Sequence, residues 1–227
     1  MKSYGQFCPI AKAAEILAER WTLLVVRELM FGSRHYNDIR RGVPRMSPTL
    51  LAQRLKLLEK SGVAECLRSA NDHSVEYRLT EAGLELKPML MLLAAWGHRW
   101  GYNKFARQDL DPGFLMWGIR RSLNTDFLPR TRTVIYVEFT DRVPLRRWWL
   151  VVEDGEADLC VKDPGHEVDL CLYTNLITLT KYFDARISLE EAKASGQFKL
   201  LGSSGLVRGI SQWLGRPSDQ RRHAATT

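Results

Sequence analysis

The chain has 227 residues, 45% of them hydrophobic and 26% charged, a balance that suits packed globular domains and excludes a mainly disordered chain. That length exceeds one typical domain and favours two. The net charge of +7 is uneven: residues 1–105 hold 16 Lys+Arg against 10 Asp+Glu, and residues 106–227 hold 17 against 16, so the basic excess lies in the first half, as a surface facing a polyanion requires.

The N-terminal run MKSYGQFCPIAKAAEIL lacks the long apolar core of a signal peptide. No stretch approaches the roughly 18 uninterrupted apolar residues of a membrane span. The expected product is soluble and cytoplasmic, with no membrane partner. Residues 10–31 read as two short helices meeting at Arg20-Trp21-Thr22. Ile10, Ala13, Ala14 and Leu17 recur at helical spacing, and Leu23, Leu24, Val25, Val26 and Leu29 supply a second stripe. Gly32-Ser33 stops it. A third short helix over 35–41 ends before Gly42-Val43-Pro44.

Residues 47–62 carry the clearest helix. Ser47 suits the N-cap, Pro48 the first helical position and Gly62 the C-terminal turn. Leu51, Leu55 and Leu58 fall on one side. Thr49, Ala52, Gln53, Lys56 and Lys60 fall on the other, giving one core face and one polar, basic face. Two strand-like runs follow, 63–68 and 74–79, around the polar loop Ser69-Ala70-Asn71-Asp72-His73. In the second run Val75, Tyr77 and Leu79 alternate with Glu76 and Arg78. Thr80 then caps a longer helix reaching Tyr102, with Leu84, Met91, Leu92, Ala95 and Trp96 apolar and a kink at Pro88. Its apolar surface exceeds what a domain of this size covers, which implies a partner.

A boundary is expected near residues 107–112, and the pattern then changes. Residues 117–123 read as helix; 133–139, 146–153, 157–161 and 168–173 read as strands. Asp154-Gly155 and Pro164-Gly165 mark turns. Residues 175–183 and 188–194 read as helices, the latter with a Ser188/Glu191 capping box. A short strand over 198–201 and a last helix over 204–214 precede a polar tail. The expected fold class is α+β, with domains at 1–108 and 109–216 and a tail at 217–227.

A run of helices ending in one with a basic polar face, then a hairpin and a helix, makes a winged helix-turn-helix. The exposed face of residues 47–60 is placed to enter a major groove of double-stranded DNA, its first residues reaching base edges. Thr49 suits a thymine methyl or a base oxygen, and Gln53 suits adenine. Arg40, Arg41, Arg45 and Lys56 suit phosphates, with Ser47 at the helix start. Asn71 and His73 stand where a wing tip meets the minor groove. Each of these alone could be a solvated surface residue.

These residues resemble the HxlR family of bacterial regulators from Cys8 to about Trp100. The resemblance rests on Cys8-Pro9, Arg20-Trp21-Thr22-Leu23-Leu24, Arg27-Glu28-Leu29 with Gly32, and Arg34-His35-Tyr36-Asn37-Asp38-Ile39. It continues through Ser47 with Leu51, Arg54-Leu55-Lys56-Leu57-Leu58-Glu59 with Gly62, Val75-Glu76-Tyr77-Arg78-Leu79-Thr80 with Gly83, and Trp96-Gly97. It implies a dimeric cytoplasmic repressor or activator, a homodimer paired through the terminal helices of its winged domain. The family usually shows Phe and Glu-Leu where Tyr36 and Asp38-Ile39 stand, and a Pro before its Val-Glu-Tyr that is absent here. Some members use the cysteine matching Cys8 as a thiol sensor. A reactive thiol needs exposure and a nearby cation, for which Lys12 is the nearest candidate, and a purely structural cysteine is the plainer reading.

Residues ~109–215 resemble a sterol-carrier-type domain, a sheet-and-helix module with an apolar tunnel. The likeness rests on Val168-Asp169-Leu170-Cys171-Leu172 with Leu176, residues 188–196, and Phe198-Lys199-Leu200 with Gly202. It implies a small hydrophobic effector, with Trp117, Trp148, Leu170, Leu172, Leu176 and Phe183 as the expected pocket. A domain that only packs and dimerises is the alternative.

Cys8, Cys66, Cys160 and Cys171 are scattered without a CxxC pair, so neither a disulfide framework nor a zinc site is expected. The five histidines lack metal-ligand spacing. No GxSxG, HExxH, Walker loop or dinucleotide fingerprint occurs; neither metal nor cofactor is expected, and no catalytic residue. Two other functions compete with a regulator: a lipid-binding protein whose winged domain serves protein contacts, and an enzyme acting on a hydrophobic substrate.

Overall fold

The computed structural model describes residues 3–68, 74–101 and 109–215. The chain divides into two compact units, Met1–Lys104 and Phe105–Thr227.

The first unit begins with α1 (Pro9–Leu17), α2 (Thr22–Met30), α3 (Tyr36–Gly42) and α4 (Pro48–Lys60). Val25, Val26 and Leu29 of α2, Ile39 of α3 and Leu51, Leu55 and Leu58 of α4 meet in one core. A hairpin of β1 (Ala64–Arg68) and β2 (Val75–Leu79) follows, paired antiparallel from Ala64↔Leu79 to Arg68↔Val75. His35 forms a single bridge to Glu76, and the Tyr77 amide donates to the Arg34 carbonyl at 2.8 Å. The segment entering α3 is thereby fastened along the hairpin.

The helix expected from Thr80 to Tyr102 is not continuous. It is divided into α5 (Glu81–Leu84) and α6 (Lys87–Trp96), followed by a single π turn over Gly97–Gly101. Thr80 does cap the first piece, its side chain accepting from the Gly83 amide. Pro88 kinks nothing. It occupies the first turn of α6, where its missing N–H leaves no helical bond unmade.

The second unit opens with α7 (Pro112–Ser122), five residues ahead of the expected start, because Asp111 Oδ1 accepts from the Phe114 amide at 2.8 Å and caps it. Five strands follow in chain order, β3 (Thr133–Phe139), β4 (Arg147–Glu153), β5 (Glu156–Cys160), β6 (Leu170–Thr174) and β7 (Phe198–Gly202), with α8 (Leu176–Phe183) and α9 (Leu189–Ala194) between the last two. They form one sheet in the order β5-β4-β3-β6-β7. Only β3 and β6 run parallel. Asp154 and Gly155 both take positive φ, 51° and 82°, the primed turn that matches strand twist. The strand expected from residue 168 starts at Leu170, since the Asp169 carboxylate instead accepts the Val134 amide at 2.8 Å. The expected last helix is two pieces, α10 (Ser204–Arg208) and α11 (Ile210–Trp213), separated at Gly209.

Register assigns the two faces of this sheet. Ile135 and Val137 of β3, Trp148 and Leu150 of β4, and Leu170 and Leu172 of β6 share one face. All belong to the core formed with Met116 and Ile119 of α7, Leu176, Leu179 and Tyr182 of α8, and Trp213 of α11. The unit is a two-layer α+β module, with these helices on one face of the sheet. Among the described residues no helix is long and apolar enough to cross a membrane.

Candidate nucleic-acid interface

The candidate reading element is α4, and local signals set where it starts. Ser47 Oγ accepts from the Leu50 amide at 3.3 Å, and Pro48 opens the first turn. With Leu51, Leu55 and Leu58 buried, helical geometry places Thr49, Gln53 and Lys56 in one stripe on the opposite side. All three are exposed, as are Arg40, Arg41, Arg45 and Ser47. Arg41 reaches back to Asp38 at 3.0 Å. The structure therefore gathers seven of the nine expected DNA contacts on the surface of α3, α4 and the turn between them. Asn71 and His73 lie outside the described residues.

Two tertiary contacts hold α4 and a third ties α2 to the end of α3, and none was expected from sequence. Arg54 donates from Nε to the Arg20 carbonyl at 3.1 Å and from Nη2 to Glu19 Oε2 at 2.9 Å, tying α4 to the α1–α2 junction. There Trp21 adopts φ 79°, a conformation costly for a bulky residue and held only by its surroundings. Tyr36 Oη donates to the Pro48 carbonyl at 2.8 Å, joining the starts of α3 and α4.

The third contact centres on Glu28, which is fully buried. Arg27 donates to Glu28 Oε1 through Nε at 3.1 Å and Nη2 at 2.9 Å, and Nη2 also reaches the Gly42 carbonyl at 2.8 Å. Ser33 Oγ donates to Glu28 Oε2 at 3.4 Å. A buried carboxylate is tolerated because it is paired and hydrogen-bonded. Gly42 closes the site, since a Cβ there would overlap the Glu28 carboxylate. Of these residues Arg27, Glu28, Tyr36 and Arg54 occur in the quoted family pattern, yet their roles depend on partners up to 35 residues away, which local spacing does not reveal.

Cys8 is half-buried at the N-cap position of α1. Lys12, its expected cation, is directed to Glu15 at 3.0 Å, and that lysine holds the Glu15 carboxyl below its ordinary range. In the wing hairpin, burial raises the Tyr77 phenol above its usual range, with Cys66 on the opposing strand adding to the effect.

Apolar side chains remain uncovered elsewhere on the unit. Ile10 of α1 and Leu92, Ala95 and Trp96 of α6 are exposed, Met91 is half-buried, and Leu17 faces inward. Leu92 and Trp96 expose 72% and 61% of their surface, an unusual cost for a helix with no partner. In the second unit Trp148, Leu170, Leu172 and Leu176 lie in the packed core, and Phe183 packs partly buried against it. Trp117 is buried, with the Arg120 and Arg121 guanidinium groups 5.0 and 5.6 Å from its ring centre. Among the described residues no three His, Cys, Asp or Glu side chains gather as a metal site.

Residues 16–105 match the family model described as HxlR-like helix-turn-helix. The chain is 34% identical over 113 residues to the uncharacterized HTH-type transcriptional regulator YvaP of Bacillus subtilis, covering 49% of this chain and 96% of that one. It is 33% identical over 91 residues to the HTH-type transcriptional regulator YodB of B. subtilis, covering 39% and 81%. It is 41% identical over 91 residues to the uncharacterized HTH-type regulator Rv3095 of Mycobacterium tuberculosis, of which it spans little more than half, 56%. The solved structure of reduced YodB aligns with 44% of this chain and all of that one, at 29% identity and a TM-score of 0.39.

Proposed function

This chain belongs to the HxlR-like helix-turn-helix family and is a DNA-binding transcriptional regulator; from that premise we propose that residues 1–108 bind double-stranded DNA as one half of a homodimer and that residues 109–216 sense a small hydrophobic effector, with 217–227 a polar tail. In each half Thr49 and Gln53 read bases from the start of α4. Arg40, Arg41, Arg45 and Lys56 hold phosphates, Ser47 fixes the helix start, and Asn71 and His73 approach the minor groove from the wing. The observation that carries this reading is the exposed stripe of Thr49, Gln53 and Lys56 opposite the buried leucines of α4.

The test separates base reading from phosphate holding. Gln53→Ala should cost about 1–3 kcal/mol on a selected operator and relax specificity at one position per half-site. Lys56→Ala should weaken all duplexes alike and flatten the salt dependence. Unchanged gel-shift affinity for both variants refutes the assignment.

Support for the effector domain comes from the five-stranded mixed sheet with its helices on one face, and from a core rich in large apolar side chains. The pocket residues Trp117, Trp148, Leu170, Leu172 and Leu176 are closely packed, with Phe183 at the margin. A hydrophobic ligand enters by parting α7 and α8 from the sheet and must favour one arrangement of the paired DNA-binding units. Titration with lipids and aromatics should raise the melting temperature and shift operator affinity about 5–150-fold. Normal repression and inducer response from a chain truncated after Arg107 would remove the second unit from sensing. The Cys8 thiol would then be the candidate sensor. A lipid carrier whose winged domain serves only protein contacts would transfer lipid without salt-dependent DNA affinity.

A further inference from the structure

The segment that enters α3 stands between the two elements proposed to touch DNA. Tyr36 bonds the Pro48 carbonyl at the start of α4, and His35 beside it bridges to Glu76 of β2. Val75 and Glu76 open β2 at the tip end of the wing hairpin. An α4 that reads the major groove and a wing that approaches the adjacent minor groove have the phosphates of one strand between them. His35 lies at that position, exposed to solvent.

One side of the ring is already committed. His35 Nδ1 lies 3.3 Å from the Val75 carbonyl oxygen. A carbonyl only accepts, so Nδ1 carries the hydrogen, and in the neutral ring Nε2 is left as a bare acceptor. The oxygens of a DNA phosphate also only accept, and Nε2 can bond one only after taking up a second proton. The imidazolium then makes two bonds at once, Nδ1 to the Val75 carbonyl and Nε2 to the phosphate, the latter strengthened by opposite charge. The acids around the ring are answered within the unit. Arg78 holds Glu76 at 2.7 Å and Arg41 holds Asp38 at 3.0 Å. Glu65 stands opposite Arg78 in the hairpin, and Glu28 of α2 is buried against Arg27. Arg34, exposed beside His35, adds a cation.

We propose that His35 is a proton-dependent phosphate contact, so that each unit bound to DNA takes up one proton from solvent and binds more tightly as the pH falls. The inference rests on the placement of α4 in the major groove, and adds to it a residue and a condition. Histidine suits the task because its ring ordinarily changes charge between about pH 5 and 8. An arginine or lysine at the same place would hold phosphate at any physiological pH.

The test uses the full chain and a duplex selected by it from random sequence, in a background carrying His73→Gln so that the wing histidine does not titrate. Affinity is measured at fixed ionic strength at about pH 5.5 and about pH 8. The background protein should bind about tenfold more tightly at the lower pH, and its salt dependence there should be steeper by about one counterion per bound unit. His35→Gln should match the background at the higher pH and gain nothing at the lower. His35→Arg, charged throughout, should bind at the higher pH about as tightly as the background does at the lower, which also shows that a changed residue 35 leaves the unit folded. A background affinity that does not vary with pH, or a pH response that His35→Gln retains, overturns the proposal. The placement of α4 is judged separately by Lys56→Ala in the same background. That variant should bind more weakly at both pH values with the pH response intact, and full affinity at both would count against α4 and not against His35.

Discussion

Gly42→Ala is expected to destabilise the first unit by about 3 kcal/mol, the sum of overpacking a closed site and disturbing a buried ion pair. The added methyl meets the Glu28 carboxylate, which cannot retreat without leaving Arg27 and Ser33. Arg27 in turn loses its bond to the Gly42 carbonyl, and the tie between α2 and the end of α3 is weakened. Thermal melts of the full chain should show the first unit unfolding at lower temperature. DNA affinity should fall even where the protein remains folded. Gly42→Ala melting like the original would mean that the Glu28 site is not the clamp described.

The second large effect concerns assembly. If the proposed helical pairing holds, Leu92→Asp combined with Trp96→Asp should convert the dimer into a monomer at micromolar concentration, because two charges would then lie in the proposed two-fold contact. Both side chains are exposed, so folding of the single chain should be almost unaffected, with a melting temperature close to the original. Operator affinity should drop about 100-fold or more, since two half-sites are no longer engaged by one linked molecule. Light scattering that reports the same mass for both proteins would rule out this pairing surface.

The parts of the fold legible in the sequence are those whose signals are local. Ser47, Pro48 and Gly62 mark the ends of α4 without reference to the rest of the molecule, and the Ser188/Glu191 capping box forms as expected. Asp154-Gly155 makes the turn its two residues favour. Misjudged boundaries arose where a local signal has two meanings. Pro88 fits both a kink and a helix start, and only the break before Lys87 decides between them. Asp111-Pro112 is a helix-start signal that competes with the apolar run beginning at Trp117, and the cap wins. The candidate DNA surface was legible because amphipathic spacing alone sorts Thr49, Gln53 and Lys56 from the leucines. The contacts that orient that surface were not. Arg54 finds Glu19, and Tyr36 finds Pro48, only after the chain has turned back on itself.

The parallel pairing of β3 with β6 has a consequence for biosynthesis. Ile135 finds its partner Leu170 35 positions later in the chain, and β6 is then completed on its outer side by β7, ending at Gly202. Contacts of long sequence separation close late and slowly, whereas helices and a tight hairpin form from neighbours. About 100 residues separate the end of the first unit at Lys104 from Gly202, which at roughly 5–20 residues per second is a delay of several seconds on the ribosome. Every nascent chain thus carries a finished helix-turn-helix unit before its sheet can exist, and β3 and β4 wait through that interval for partners still unsynthesised.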